Sequence, residues 1–302
     1  MNGILNVYKE KGFTSHDVVA KLRGICHQKK IGHTGTLDPD AEGVLPVCLG
    51  SATKICGLIT DKDKEYATVL LLGKETDTQD ITGNTRSEFE VTCTQEELTQ
   101  IIHSFVGAYD QIPPMYSALK VNGQKLYELA RNGIEVERKP RNVQIYEIQI
   151  EWIRLPRVKL RVHCSKGTYI RTLCHDIGQA AGCGGCMETL LRTRVSSFSL
   201  ENAVTLAQIE QKVQENRISD LLLPPDCLFL EYPKTNVHAD FKKMLVNGNR
   251  LPRCAFTISE NSRDDKEYET VRVYLDDTFY AIYAWDTGLH KYKPLKIFGQ
   301  GN

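Results

Sequence analysis

Residues 32–47 carry the strongest chemical signal: Gly32-His33-Thr34-Gly35-Thr36-Leu37-Asp38-Pro39-Asp40-Ala41-Glu42-Gly43-Val44-Leu45-Pro46-Val47. Glycine and threonine alternate before Asp38 and pin a tight loop, and Pro39 fixes the backbone just after the carboxylate. A carboxylate held on a stiff loop between apolar residues suits a nucleophile or a general base. The same residues also describe an Asp-Pro turn with no chemistry. The segment alone does not choose between them.

A second group raises the question of metal or redox chemistry: Cys183-Gly184-Gly185-Cys186, with Cys174-His175 upstream. Structural zinc at this spacing would call for a second pair, and the chain has no second C-x-x-C. Reduced, partly buried thiols are the expectation, with no metal. Neither a P-loop nor a G-x-G-x-x-G pattern occurs, so no nucleotide or other cofactor is expected.

The elements that must position these residues follow from local signals. Thr14 and Asp17 have capping-box spacing ahead of Val18, Val19, Leu22 and Ile25, which predicts an amphipathic helix; Thr94 with Glu97 and Thr205 with Gln208 predict two more. Residues 32–43 read as an ordered loop, 66–72 as a buried strand, and 143–153 and 158–164 as further strands. In the last of these, Val158, Leu160, Val162 and Cys164 alternate with Lys159, Arg161 and His163, predicting one core face and one basic outward face. Residues 168–177 read as helical. Prolines 224, 225 and 233 break the pattern, and a short all-β unit is expected beyond them, with strands at 271–275, 279–285 and 294–298. The fold class is mixed α+β, divided at 1–230 and 231–302.

Apolar residues make up 41% of the 302 positions and charged residues 25%, values of an ordinary globular chain rather than a disordered or fibrous one. No run of about 18 apolar residues occurs, so no transmembrane helix is expected. The first ten residues lack the order of a signal peptide, which makes the chain cytoplasmic by expectation, with its ten cysteines reduced. Net charge is zero, but residues 152–175 contain Arg154, Arg157, Lys159, Arg161, Lys166 and Arg171 and no acid. Segregation of this kind can create a local positive surface for phosphates, or merely a solvated face.

The segment G-H-T-G-T-L-D-P-x-A-x-G-V-L-P-V resembles the active-site motif of the TruB family of tRNA pseudouridine synthases. Other segments match in family order. Lys9-Glu10-Lys11-Gly12-Phe13-Thr14-Ser15 is similar to the family's K-P-x-G-x-T-S, with Glu10 where proline is usual, and Lys64-Glu65-Tyr66 to its K-x-Y. Thr76-Asp77-Thr78-Gln79-Asp80 resembles T-D-T-x-D, and residues 111–120 resemble Q-x-P-P-x-Y-S-A-x-K. Ser165-Lys166-Gly167-Thr168-Tyr169-Ile170-Arg171 resembles the last catalytic motif. Leu190-Leu191-Arg192-Thr193 replaces the commoner L-R-R-T.

The resemblance implies a pseudouridine synthase-like core, with a mixed or antiparallel sheet flanked by helices, and a small β-rich PUA-like C-terminal domain that binds RNA. It implies isomerisation of uridine 55 in the tRNA T-loop by base flipping, without a cofactor. Asp38 would be the catalytic carboxylate, paired with Arg171; Tyr66 would stack on the target base, and Tyr169 would lie close to it. His33 would pack beside the vacated position in the RNA loop, and Leu190 would line the pocket. Lys9, Asp80 and Lys120, each inside a matched motif, are further substrate-binding candidates. Residues 111–143, basic and without a strong core pattern, would form an insertion that closes on RNA. A monomer binding the tRNA T-arm, with no membrane or protein partner, is expected. The rival readings are a non-catalytic RNA-binding protein, a guide-RNA-dependent relative and an aspartate-dependent hydrolase.

Overall fold

The computed structural model describes residues 1–121, 123–257 and 269–299. Nine strands build the main sheet: β1 (Gly3–Lys9), β2 (Ile31–His33), β3 (Glu42–Leu49), β4 (Lys64–Leu72), β5 (Gly107–Gln111), β6 (Arg141–Arg154), β7 (Arg157–Cys164), β8 (Gly185–Val195) and β9 (Phe198–Ser199). Their order is β1-β3-β8-β4-β7-β6-β5, with β2 added to β3 and β9 to β8. All these pairings are antiparallel except that of β8 with β3. The mixed α+β expectation is borne out.

The three capping boxes are present. Thr14, Thr94 and Thr205 each accept from the backbone three residues on and start helices α1 (Ser15–Ile25), α2 (Gln95–Ser104) and, after α3 (Ile170–Ala180), α4 (Leu206–Gln214). Helices α2 and α3 contribute Leu98, Ile102, Leu173 and Ile177 to the apolar cluster that contains Leu70, Leu160 and Val162 of the sheet. Helices α1 and α4 contribute Val18, Leu22, Leu206 and Ile209 to a second cluster with Leu5, Leu45 and Val47. Helix α3 can approach β8 closely because both carry glycine: a Cβ on Gly178 would lie 2.3 Å from the Gly185 nitrogen.

A second, five-stranded sheet follows: β10 (Lys234–Val237), β11 (Phe256–Thr257), β12 (Thr270–Leu275), β13 (Thr278–Asp286) and β14 (Lys291–Ile297), in the order β11-β10-β12-β13-β14. The expected strands are there. The unit is not all-β, however, because residues Lys242–Val246 form a short helix whose Leu245 is buried among Val273 and Tyr283. Ile282 and Phe298 share an apolar cluster with Ile4, Val44, Cys48 and Ile55, so the two sheets meet across a continuous core.

The basic face expected over residues 152–175 is largely neutralised by acids from other strands. Arg161 pairs with Glu65 and Glu151 at 3.2 and 2.9 Å, Lys159 with Glu151 at 3.0 Å and Arg157 with Glu188 at 2.9 Å. The antiparallel neighbours β4 and β6 supply Glu65 and Glu151, and Glu188 reaches Arg157 from β8 across β4, which a single stretch of sequence does not reveal.

Candidate active site

Asp38 lies in the loop between β2 and β3, at the rim of a cavity of about 680 Å³. Residues 9–15 clamp the loop on both sides of the carboxylate. The Leu37 nitrogen donates to Ser15 Oγ at 2.9 Å, the Gly12 nitrogen donates to the Pro39 carbonyl at 2.9 Å, and Lys9 Nζ donates to the same carbonyl at 3.0 Å. Lys9 also donates to the carbonyls of Glu10 and Phe13 at 3.2 and 2.6 Å. The first motif thus works as a cradle for the Asp38 loop.

Arg171, on the first turn of α3, is 5% exposed and holds Asp38 through two nitrogens, Nε to Oδ2 at 3.0 Å and Nη2 to Oδ1 at 3.3 Å. Its remaining donors reach the carbonyls of Tyr116 (2.8 Å) and Thr78 (3.1 Å), and Nη1 lies 3.7 Å from Asp80 Oδ2. Asp80 is fixed in turn: its Oδ1 accepts from Thr78 Oγ1, Thr82 N and Thr82 Oγ1 at 2.9, 3.0 and 2.6 Å. Gln111 sets the start of α3. Its side-chain oxygen accepts from the Tyr169 nitrogen at 2.7 Å and its amide donates to the Tyr169 carbonyl at 3.0 Å. Sequence reasoning did not single out Gln111; its place at the head of a matched motif was the available signal.

Two effects oppose one another at Asp38. Burial pushes its carboxyl pKa up and Arg171 pulls it down; Asp80 and Asp40 add to the rise, so the net direction is upward. The guanidinium therefore offsets burial only in part. The carboxylate still opens to the cavity, with 40% of its side chain exposed. Burial lowers the pKa of His33 and favours a neutral ring. Burial raises those of Tyr66 and Tyr169.

The structure brings Asp38, Arg171, Asp80, His33 and Leu190 onto one cavity. Tyr66 is not among the residues lining it; it is 8% exposed and clusters with Leu37 and Ala41 of the Asp38 loop. Tyr169 is half-buried at the N-cap of α3. Lys9 and Lys120 fall elsewhere. Lys9 is 0% exposed, and its three carbonyl partners make it a strut of the loop rather than a ligand. Lys120 lines a separate hollow with Arg138, Lys139 and Arg141. Within residues 111–143, Tyr116, Ser117, Lys125, Tyr127 and Arg131 face the Asp38 cavity.

Cys174, Cys183 and Cys186 are buried free thiols, and burial pushes those of Cys174 and Cys186 up to about 12 and about 11. Among the described residues, no three potential ligands come together to hold a metal ion, and no helix is long and apolar enough to cross a membrane.

The chain as a whole matches known pseudouridine synthases in sequence and fold. Residues 23–170 match the model of the TruB family pseudouridylate synthase N-terminal domain, and residues 171–229 match that of the tRNA pseudouridylate synthase B C-terminal domain. The protein named tRNA pseudouridine synthase B of Lachnoclostridium phytofermentans is 55% identical over 99% of this chain and 100% of its own. Its namesake in Clostridium kluyveri is 41% identical over the same shares. A solved Cbf5-Nop10-Gar1 complex contains a chain 26% identical, with a TM-score of 0.72 over 99% of this chain and 85% of that one. A chain in an H/ACA RNP bound to a substrate RNA containing 2′-deoxyuridine, 24% identical with a TM-score of 0.71, shares the fold over 99% of this chain and 86% of its own. The chain belongs to the TruB family of pseudouridylate synthases.

Proposed function

We propose that the chain converts uridine 55 in the T-loop of tRNA to pseudouridine, acting alone, with Asp38 as the reacting carboxylate. The reaction breaks the N1–C1′ bond, turns the uracil and joins C5 to C1′; the hydrogen on C5 leaves and N1 gains one, so the product is an isomer. The observation that carries the reading is the two-point grip of buried Arg171 on a cavity-facing Asp38. Support also comes from relatives of 41–55% identity that bear the name tRNA pseudouridine synthase B.

The target base leaves its stack to reach Asp38, and Tyr66 and Tyr169 replace part of the lost stacking, which is worth about 1–3 kcal/mol per base. His33 occupies the space the base vacates, and Leu190 closes the pocket. Residues 1–230 form the catalytic unit, 111–143 its RNA-closing insertion, and 231–302 the PUA-like RNA-binding unit. The enzyme works in the cytoplasm as a monomer without a guide RNA.

The test is release of tritium from a T-arm stem-loop labelled at C5 of the target uridine, using purified protein with nothing added, beside Asp38→Ala. Release by the parent and none by the variant is expected. A parent that binds the stem-loop but releases no tritium would point instead to a binding protein, or to a relative that needs a guide.

A further inference from the structure

Arg192 is the largest fully buried side chain among the described residues, at 1% exposure. Its guanidinium meets backbone rather than a carboxylate: Nε donates to the Val44 carbonyl at 2.7 Å and Nη2 to the Gly35 carbonyl at 3.3 Å. An apolar side chain could fill a buried site without the desolvation cost of a charge. The charge is kept where it touches both ends of the Asp38 loop.

Backbone pairing makes the arrangement tighter. Arg192 sits on β8 between Gly43 of β3 on one side and Tyr66 of β4 on the other. Gly43 has φ +105°, and a Cβ there would lie 2.2 Å from the Arg192 carbonyl oxygen, so the strands approach as closely as backbone allows. The end of the Asp38 loop and Tyr66 are thus joined through the main chain of one residue, whose side chain holds both ends of the loop.

We propose that Arg192 is a positioning residue for the isomerisation: its guanidinium ties Gly35 to Val44 while its backbone lies between Gly43 and Tyr66, so that the Asp38 loop and the Tyr66 strand keep a fixed relation during the reaction. The proposal rests on the assignment of Asp38 and Tyr66 made above. Arg192 acts through those two groups and does not itself touch RNA.

The experiment compares Arg192→Lys with the parent by single-turnover tritium release, with RNA affinity and thermal melting measured on each. Lysine keeps the charge but loses the planar fork that serves two carbonyls at once. The expected result for Arg192→Lys is a folded protein with RNA affinity within about threefold of the parent and a rate at least about tenfold lower. A rate within twofold of the parent, or a loss confined to melting temperature, overturns the proposal. Should Arg192→Lys not fold, Arg192→Gln, which retains a planar donor without the charge, carries the same comparison. A parent that releases no tritium defeats the assignment of Asp38 instead, so the two failures are distinguishable.

Discussion

Arg171 faces Asp38 side-on: Nε lies 3.0 Å from Oδ2 and Nη2 3.3 Å from Oδ1, while the other side of the guanidinium is taken up by the carbonyls of Tyr116 and Thr78. The fork is planar and rigid, so the direction in which Asp38 presents its oxygens is set by α3 and the turn at residues 76–80. Asp38→Asn keeps the shape and removes the charge; tritium release is expected to fall by roughly 10²–10⁴-fold with RNA affinity preserved. Arg171→Lys supplies a point charge without the fork and should lose about 10²-fold in rate. A lysine variant as fast as the parent would show that the orientation of the carboxylate is irrelevant.

Because burial raises the Asp38 pKa more than Arg171 lowers it, the carboxyl takes up its proton at a higher pH than a free aspartate. On the proposed role of Asp38 as the reacting carboxylate, the rate should fall as pH drops through the raised value, with the acid limb of kcat/KM above the ordinary aspartate pKa of about 3.9. Arg171→Gln removes the opposing charge and should move that limb to still higher pH. An acid limb that stays in place or moves down in this variant contradicts the balance of effects described here.

The paired basic face and the cavity rim make different predictions about RNA. Arg161 is engaged with Glu65 and Glu151. Arg131 is exposed and lines the cavity, resting on the Tyr127 ring at 5.5 Å. Arg131→Gln should weaken stem-loop binding and flatten the dependence of log affinity on log salt by about 0.7–0.9, one phosphate contact. Arg161→Gln should leave that slope unchanged. Equal changes in both variants would restore the strand face as a phosphate surface.

What the sequence made legible was mostly local. The capping boxes at Thr14, Thr94 and Thr205 need only three residues of spacing, and each starts a helix. The Asp38 loop announced itself through its glycines and Pro39, and resemblance supplied its partner Arg171. What stayed hidden depends on residues far apart in the chain. Glu65, Glu151 and Glu188 neutralise the basic stretch from other strands. Arg192 looked like one survivor of a basic motif; its burial follows only from β8 lying between β3 and β4. Residues 32–43, expected as loop throughout, begin and end in strand because β2 pairs with the far end of β3 while Glu42 and Gly43 pair with β8 and β1.

Lys9 is the sharpest case, since membership in a matched motif suggested RNA contact and the fold buries it completely. Burial lowers its pKa to about 8, yet its ammonium donates to the carbonyls of Glu10, Phe13 and Pro39. Lys9→Met fits the space and leaves three carbonyls with one donor fewer each. Leaving a buried acceptor unsatisfied costs about 1–3 kcal/mol. At about 2–4 °C per kcal/mol for a chain of 150–250 residues, the melting temperature should drop by several degrees. Because Lys9 lies beneath the loop and not in the cavity, KM for the stem-loop should stay within about twofold, while kcat falls with the looser Asp38 loop. A raised KM with unchanged kcat and melting temperature would return Lys9 to the RNA-binding set.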